Sequence, residues 1–403
     1  MRRLLALVLA STVVVLVPEA GGAAAPSTRD FYAPPAKITA KPGTVLKNEP
    51  TIAKAEPTGL LSVPATARRI MYASTNRRGQ RIAVTGTVIT PKAAWTGKGA
   101  RPVVAYAPGT QGLADRCAAS KQLAAGTMYE GLILQIMLAK GWALVISDYP
   151  GLGTPGDHPY VQRVDLGHAV LDSLRAARRM RTGGISPASK IAISGYSEGG
   201  TAAAGALELR RSYAPELPVI TGFVGAAAAD FEVLAKHLEG NLQAFLLGYT
   251  SVSLQQSYPS LKLGSYLSPY GKRRFDELRN TCIVDAILLH QYFPTHQMTK
   301  DGRSINALIT RPAFKRALRD MKLGQRPPDV PVLVGHSELD EVLPIAQGRQ
   351  MARDWCQRGG KVQFRSTIVP EHILGLFALM PQAIGFLEAR FEGRPFQSQC
   401  GRF

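Results

Sequence analysis

No C-x-x-C pair occurs in this chain, and its four cysteines, Cys117, Cys282, Cys356 and Cys400, stand far apart. That spacing excludes a zinc ribbon or a thioredoxin-type redox site. Beyond the first residues, no apolar run reaches the roughly 20 residues that a membrane-spanning helix needs. Internal repeats and low-complexity tracts are also absent. Acidic residues are scarce, with 29 Asp and Glu against 48 Lys and Arg, a net charge of +19. Such a balance suits anionic surfaces, phospholipid headgroups or wall polymers among them. It does not point to nucleic acid, because the basic residues fall in scattered pairs such as Arg68-Arg69 and Arg77-Arg78. No aromatic residues are interleaved with them to stack on bases.

What is present reads as a packed globule. Hydrophobic residues make up 45% of the 403 positions and charged residues 19%, enough for one large domain with an insertion or for two small ones. Arg2 and Arg3 precede an apolar run from Leu4 to Val17, and Ala23-Ala24-Ala25 follow. This is the pattern of a cleavable secretory signal over residues 1–25, so the protein is expected outside the cell or at its surface. In that oxidising setting the four cysteines are expected to form two disulfides. Three pairings are open. Cys117–Cys282 with Cys356–Cys400 is favoured, since the second bond would tie the C-terminal tail to the last helical layer.

Residues 26–57 are rich in Pro, Lys and Thr and read as an extended arm. Two β-rich runs, 69–73 and 82–89, flank a turn-like Asn76-Arg77-Arg78-Gly79 and suggest a hairpin at a sheet edge. Short apolar strands are then expected at 102–106, 143–148, 190–194, 219–224, 331–335 and 362–368. Helices are expected between them at 121–140, 164–181, 200–212, 345–358 and 372–391. Near-continuous apolar strands alternating with helices imply a mainly parallel sheet covered on both faces. Residues 230–329 break the rhythm, being far too long for an ordinary connection. They are expected to form a helical cap, including helices near 231–247 and 283–292. The core would then comprise residues 58–229 and 330–403.

The stretch Ile191-Ala192-Ile193-Ser194-Gly195-Tyr196-Ser197-Glu198-Gly199-Gly200 carries the chemistry. An apolar strand enters G-x-S-x-G and a helix of small residues leaves it, as the nucleophile elbow of an α/β-hydrolase fold requires. Ser197 is therefore the candidate nucleophile. A serine hydroxyl needs a base and an acid to orient that base, in the chain order Ser, Asp or Glu, His. Glu338, Asp340 and Glu341 are candidate acids after the strand at 331–335. Of the seven histidines, His158, His168, His237, His290, His296 and His336 stand too early, which leaves His372 as base. The oxyanion is expected to meet the backbone N–H of Glu198 and a second donor from Thr110 or Gln111, in a loop that Gly109 and Gly112 let bend. Asp148-Tyr149-Pro150-Gly151-Leu152-Gly153 lies at a strand end but is assigned no chemistry.

Here the chain resembles the secretory lipases of actinobacteria and yeasts, the family of the Candida type A lipase. The likeness rests on Asp30-Phe31-Tyr32-Ala33-Pro34-Pro35 with Pro42-Gly43-Thr44-Val45-Leu46-Lys47, on Asp148–Gly153, on the elbow, and on Asp340 to Pro344 with His372. The resemblance implies lipase or carboxylesterase activity, two disulfides, a cap over the acyl site, and a triad of Ser197, Asp340 and His372. It is also what favours Asp340 over Glu338 and Glu341. In one departure, Pro108-Gly109-Thr110-Gln111 stands where some relatives carry an acidic residue.

The expected reaction is acyl transfer through an acyl-enzyme, needing neither metal nor organic cofactor. The expected substrate is a lipid or other acyl ester, and the expected state a monomer. Rival readings are a hydrolase of non-lipid esters or peptides, and a non-catalytic basic protein binding walls or lipid. Phe245-Leu246-Leu247 and Ile287-Leu288-Leu289 could receive an acyl chain, though most are expected to be plain cap core.

Overall fold

The structure, a computed structural model, describes residues 31–403; the segment read as a signal lies outside them. A single nine-stranded sheet organises the chain. Its strands are β1 (Val45–Thr51), β2 (Ala65–Thr75), β3 (Arg81–Pro91), β4 (Val103–Ala107), β5 (Ala143–Ser147), β6 (Ile191–Tyr196), β7 (Val219–Gly225), β8 (Val332–Ser337) and β9 (Val362–Thr367). In space they lie in the order β1-β2-β3-β5-β4-β6-β7-β8-β9. The first three run antiparallel to their neighbours, while β5, β4, β6, β7, β8 and β9 are mutually parallel. This is the α/β-hydrolase architecture, a mainly parallel sheet flanked by helices.

Period-2 alternation explains the burial of the central strands. On β4, Val103 and Ala105 join one apolar cluster while Val104 and Tyr106 join the other, across the sheet. Both faces are therefore apolar, and all five β4 residues are buried. Each large aliphatic side chain so placed contributes about 1.5–3 kcal/mol. Helices Arg163–Met180 and Glu198–Tyr213 cover one face, packing closely enough that a Cβ on Gly167 would meet the backbone of Gly205 at 2.8 Å.

Three expectations need correction. The arm adds an edge strand, because 45–51 pairs with β2, so the β2–β3 hairpin lies one strand in from the edge. The helix expected over 121–140 is two, Ala119–Ala125 and Gly131–Ala139. Gly126 ends the first in the left-handed region at φ +75°, and its Cα lies against the arm, where any Cβ would strike Glu56 O at 2.3 Å. The apolar stretch 231–247 is likewise divided, into Phe231–Leu238 and the start of Phe245–Ser257.

The residues between β7 and β8 hold these helices together with Pro269–Arg279, Ile283–Leu289 and Pro312–Met321. Cys117 is bonded to Cys282, and Cys356 to Cys400. The first bond ties this helical insertion to the loop after β4. The same junction carries a backbone bridge from Gly112 to Cys282, and Ile283 N–H donates to Gln111 O at 2.9 Å.

Candidate active site

Ser197 sits at the turn between β6 and the helix Glu198–Tyr213 with φ +60° and ψ −123°, a backbone conformation that side chains other than glycine rarely adopt. The turn is this tight only because its neighbours lack bulk. A Cβ on Gly195 would lie 2.2 Å from Gly199 O, and one on Gly199 would lie 2.0 Å from Ala107 O. Gly199→Ala is therefore expected to cost about 1–3 kcal/mol of stability through backbone displacement. A thermal melt matching the wild type would refute this account of the elbow.

Asp340 lies in the loop after β8. Its Oδ1 accepts from the N–H groups of Val342 and Leu343 at 3.0 and 2.8 Å, and its Oδ2 accepts from His372 Nδ1 at 2.8 Å. Burial pushes this carboxyl up, but the attraction of His372 and hydrogen bonds from His336 and His372 outweigh it and hold it well below the ordinary carboxylate range. His336 Nε2 stands 3.5 Å from the same oxygen while donating to Leu343 O at 2.8 Å.

His372 opens the helix His372–Phe391. Glu371 fixes that start, its carboxylate accepting from Ile373 and Leu374 N–H at 3.0 and 2.8 Å. The Tyr196 hydroxyl donates to His372 O at 2.8 Å, which links the residue before Ser197 to the histidine. His372 Nε2 has no hydrogen-bond partner among the described residues. Ser197, Glu198 and His372 line one cavity of about 390 Å³, roofed by helical-insertion residues that include Phe245, Leu246 and Ile287. Of the rival acids, Glu338 is paired with Arg349, while Glu341 faces the cavity without touching the imidazole.

The loop after β4 is held residue by residue. Tyr149 OH donates to Pro108 O at 2.9 Å, and Gly109 N–H donates to both oxygens of Glu130 at 3.1 Å. Thr110 Oγ1 shares a hydrogen bond with Tyr160 OH at 3.0 Å. Thr110 lines the cavity; Gln111 turns back, its Nε2 donating to Gly109 O and to Glu130 Oε2. Behind Glu198, His158 Nε2 lies 2.7 Å from Glu198 Oε1 while its Nδ1 donates to Pro150 O. Asp148 packs beneath, accepting from Ser120 N–H and Thr85 Oγ1, each at 2.7 Å.

Glu130, Tyr160 and His158 were not foreseen as part of this surround. The only sequence signal was a charge at the edge of an apolar run, Glu130 before Gly131-Leu132-Ile133-Leu134. The second apolar triplet also departs from expectation. Val284 and Ile287 line the cavity, but Leu288 and Leu289 on the same helix are each 71% exposed.

Residues 118–399 match the profile of the secretory lipase family. Lipase 1 of Candida albicans is 30% identical, aligned over 93% of this chain and 82% of its own. A protein of Mycobacterium tuberculosis named as a probable inactive lipase is 29% identical, over 92% and 83%. Among solved structures, Candida antarctica lipase A in its closed state superposes with a TM-score of 0.83 at 21% identity, covering 94% of this chain and 90% of that one. A cell-wall-degrading esterase of Xanthomonas oryzae gives 0.71 at 20% identity, over 86% and 100%.

Proposed function

Because the chain belongs to the secretory lipase family, we propose that it is an extracellular serine hydrolase that cleaves carboxylic esters of lipids through an acyl-enzyme on Ser197. His372 takes the hydroxyl proton as Ser197 attacks the ester carbonyl, and Asp340 holds the imidazolium. The oxyanion forms against the N–H of Glu198, with Thr110 as the second donor. His372 then protonates the leaving alcohol, and water releases the acid by the same steps. The observation that carries this reading is the 2.8 Å hydrogen bond from His372 Nδ1 to Asp340, at the edge of the cavity that Ser197 lines.

The name of the mycobacterial relative raises a decayed site as the rival. Against it stand an intact Ser197, Asp340 and His372, each buried and each following a different strand, β6, β8 and β9. Leu288 and Leu289, exposed on the helix whose Val284 and Ile287 line the cavity, favour lipid over soluble substrates as an apolar rim, because exposed aliphatic residues mark binding faces. The excess of basic residues would add attraction to anionic lipid or wall polymer.

Emulsified triglyceride should be hydrolysed in preference to peptide and aromatic-ester panels. Replacing Leu288 and Leu289 together by Asp should lower emulsion hydrolysis by about tenfold or more, since apolar contact is exchanged for charge desolvation. Turnover of a soluble short-chain ester should stay within about twofold in the same variant, as neither residue lines the cavity. Equal losses on both substrates would remove the rim from the reading, and a preference for peptides would overturn the lipid assignment.

A further inference from the structure

Glu130 is fully buried immediately before the helix Gly131–Ala139, away from the proposed triad, and takes no part in proton transfer there. Among the described residues, every hydrogen bond to its carboxyl comes from β4 or from the loop that follows it. Tyr106 OH donates to Oε1 at 2.8 Å, Gly109 N–H donates to both oxygens at 3.1 Å, and Gln111 Nε2 donates to Oε2 at 3.3 Å. Tyr129 closes the other side, its hydroxyl standing where a Cβ on Gly109 would be, 2.1 Å away. With Gly109 N–H engaged by Glu130 and the Gln111 side chain turned back to the same carboxyl, Thr110 is the loop residue left facing the cavity.

We propose that Glu130 is a positioning residue for the oxyanion site, holding Gly109 and Gln111 from behind so that Thr110 points at the reacting carbonyl, and that it does so as a neutral acid. This rests on the acyl-enzyme reading above. The charge requirement follows from geometry: a buried anion one loop away from a developing oxyanion opposes the charge that the site exists to stabilise. The groups facing Glu130 leave that charge uncompensated. They are Tyr106 from β4, Tyr129 beside it, Tyr149 from the loop after β5, and Glu198 from the helix after Ser197, itself paired on its far side with His158. Burial pushes the carboxyl up to about 8, hydrogen bonds from Tyr106 and Gly109 lowering it only in part and Glu198 raising it further. Glu130 is thus protonated at neutral pH and ionises above about pH 8. In the neutral form the carboxyl's own proton goes to the Tyr106 hydroxyl, 2.8 Å from Oε1, a group that accepts as well as donates.

The test is the pH dependence of kcat on a soluble ester for the wild type, E130Q and E130A, with a separate portion of each labelled with a fluorophosphonate to count reactive Ser197. Wild-type kcat should fall above about pH 8, approaching tenfold per pH unit, as the anion forms. E130Q, a permanent neutral mimic, should keep kcat within about threefold at pH 7 and lose that alkaline fall. E130A should lose about 10- to 100-fold in kcat with KM little changed, because a displaced donor acts on the transition state. A purely structural Glu130 would lower thermal stability in both variants and leave the pH profile alone. A wild type that labels at Ser197 while E130Q shows the unaltered alkaline fall overturns the proposal by itself. A wild type that neither labels nor turns over overturns the acyl-enzyme reading, and this inference with it.

Discussion

Ser197→Ala is expected to lower ester hydrolysis by about 10⁵-fold or more, leaving the fold intact and the affinity for substrate nearly unchanged. The size follows from the chemistry: removing the nucleophile removes the covalent route, and only oxyanion donors and substrate binding remain to act on water. The fold should survive because Ser197 contributes its backbone rather than its side chain to the elbow. Its N–H donates to Gly225 O at 3.0 Å and its carbonyl accepts from Thr201 N–H at 3.0 Å. Alanine at φ +60° is no more strained than serine, so the melting temperature should move by only a few degrees. Circular dichroism, a thermal melt and turnover of a p-nitrophenyl ester check the three parts. Intact mass after fluorophosphonate treatment should show one adduct on the wild type and none on the variant. An adduct that persists in Ser197→Ala, or hydrolysis reduced by less than about tenfold, would remove Ser197 from the mechanism.

Much of this was legible from local patterns. Strands β4 to β8 declared themselves as short apolar runs because parallel strands covered on both faces need little alternation, whereas the edge strand β9 alternates, as Val362-Gln363-Phe364-Arg365 shows. The elbow was legible because Gly195 and Gly199 leave room that no other residue would. The surround of the oxyanion loop was not legible. Glu130 lies between two helices after β4, and His158 and Tyr160 lie in the connection after β5, so each contact depends on how these two connections pack over the sheet. A buried carboxyl next to an apolar helix start looks, along the chain, like an ordinary solvated helix end. His158 was set aside for standing before the acid in sequence, a rule that finds the base but says nothing about who braces Glu198. Leu288 and Leu289 were misread for a related reason. An apolar triplet in a helix normally faces a core, and only the tertiary arrangement reveals that Leu288 and Leu289 face solvent.

The acid of the proposed triad gives the second large effect. Asp340→Asn should reduce kcat by about 10³- to 10⁴-fold with KM little changed, because an amide can neither stabilise the imidazolium nor enforce the Nδ1–H tautomer. Glu338→Gln and Glu341→Gln should each remain within about threefold of the wild type, since neither carboxylate touches His372. The direction of the Asp340 shift adds a pH expectation. Its contribution to folding is fully present above the ordinary carboxylate value near 3.9 and fades only as pH falls through the lower value of the folded state. Wild-type stability should therefore exceed that of Asp340→Asn at pH 7, and the gap should narrow under strongly acidic conditions as the native carboxyl is protonated. The same shift keeps Asp340 ionised wherever the enzyme works, so any acid-side loss of activity between pH 5 and 7 must arise from another group. Loss of activity in Glu341→Gln equal to that in Asp340→Asn would move the acid one residue along the loop. Retention of more than about a tenth of kcat in Asp340→Asn would leave His372 without the orienting partner that its hydrogen bond implies.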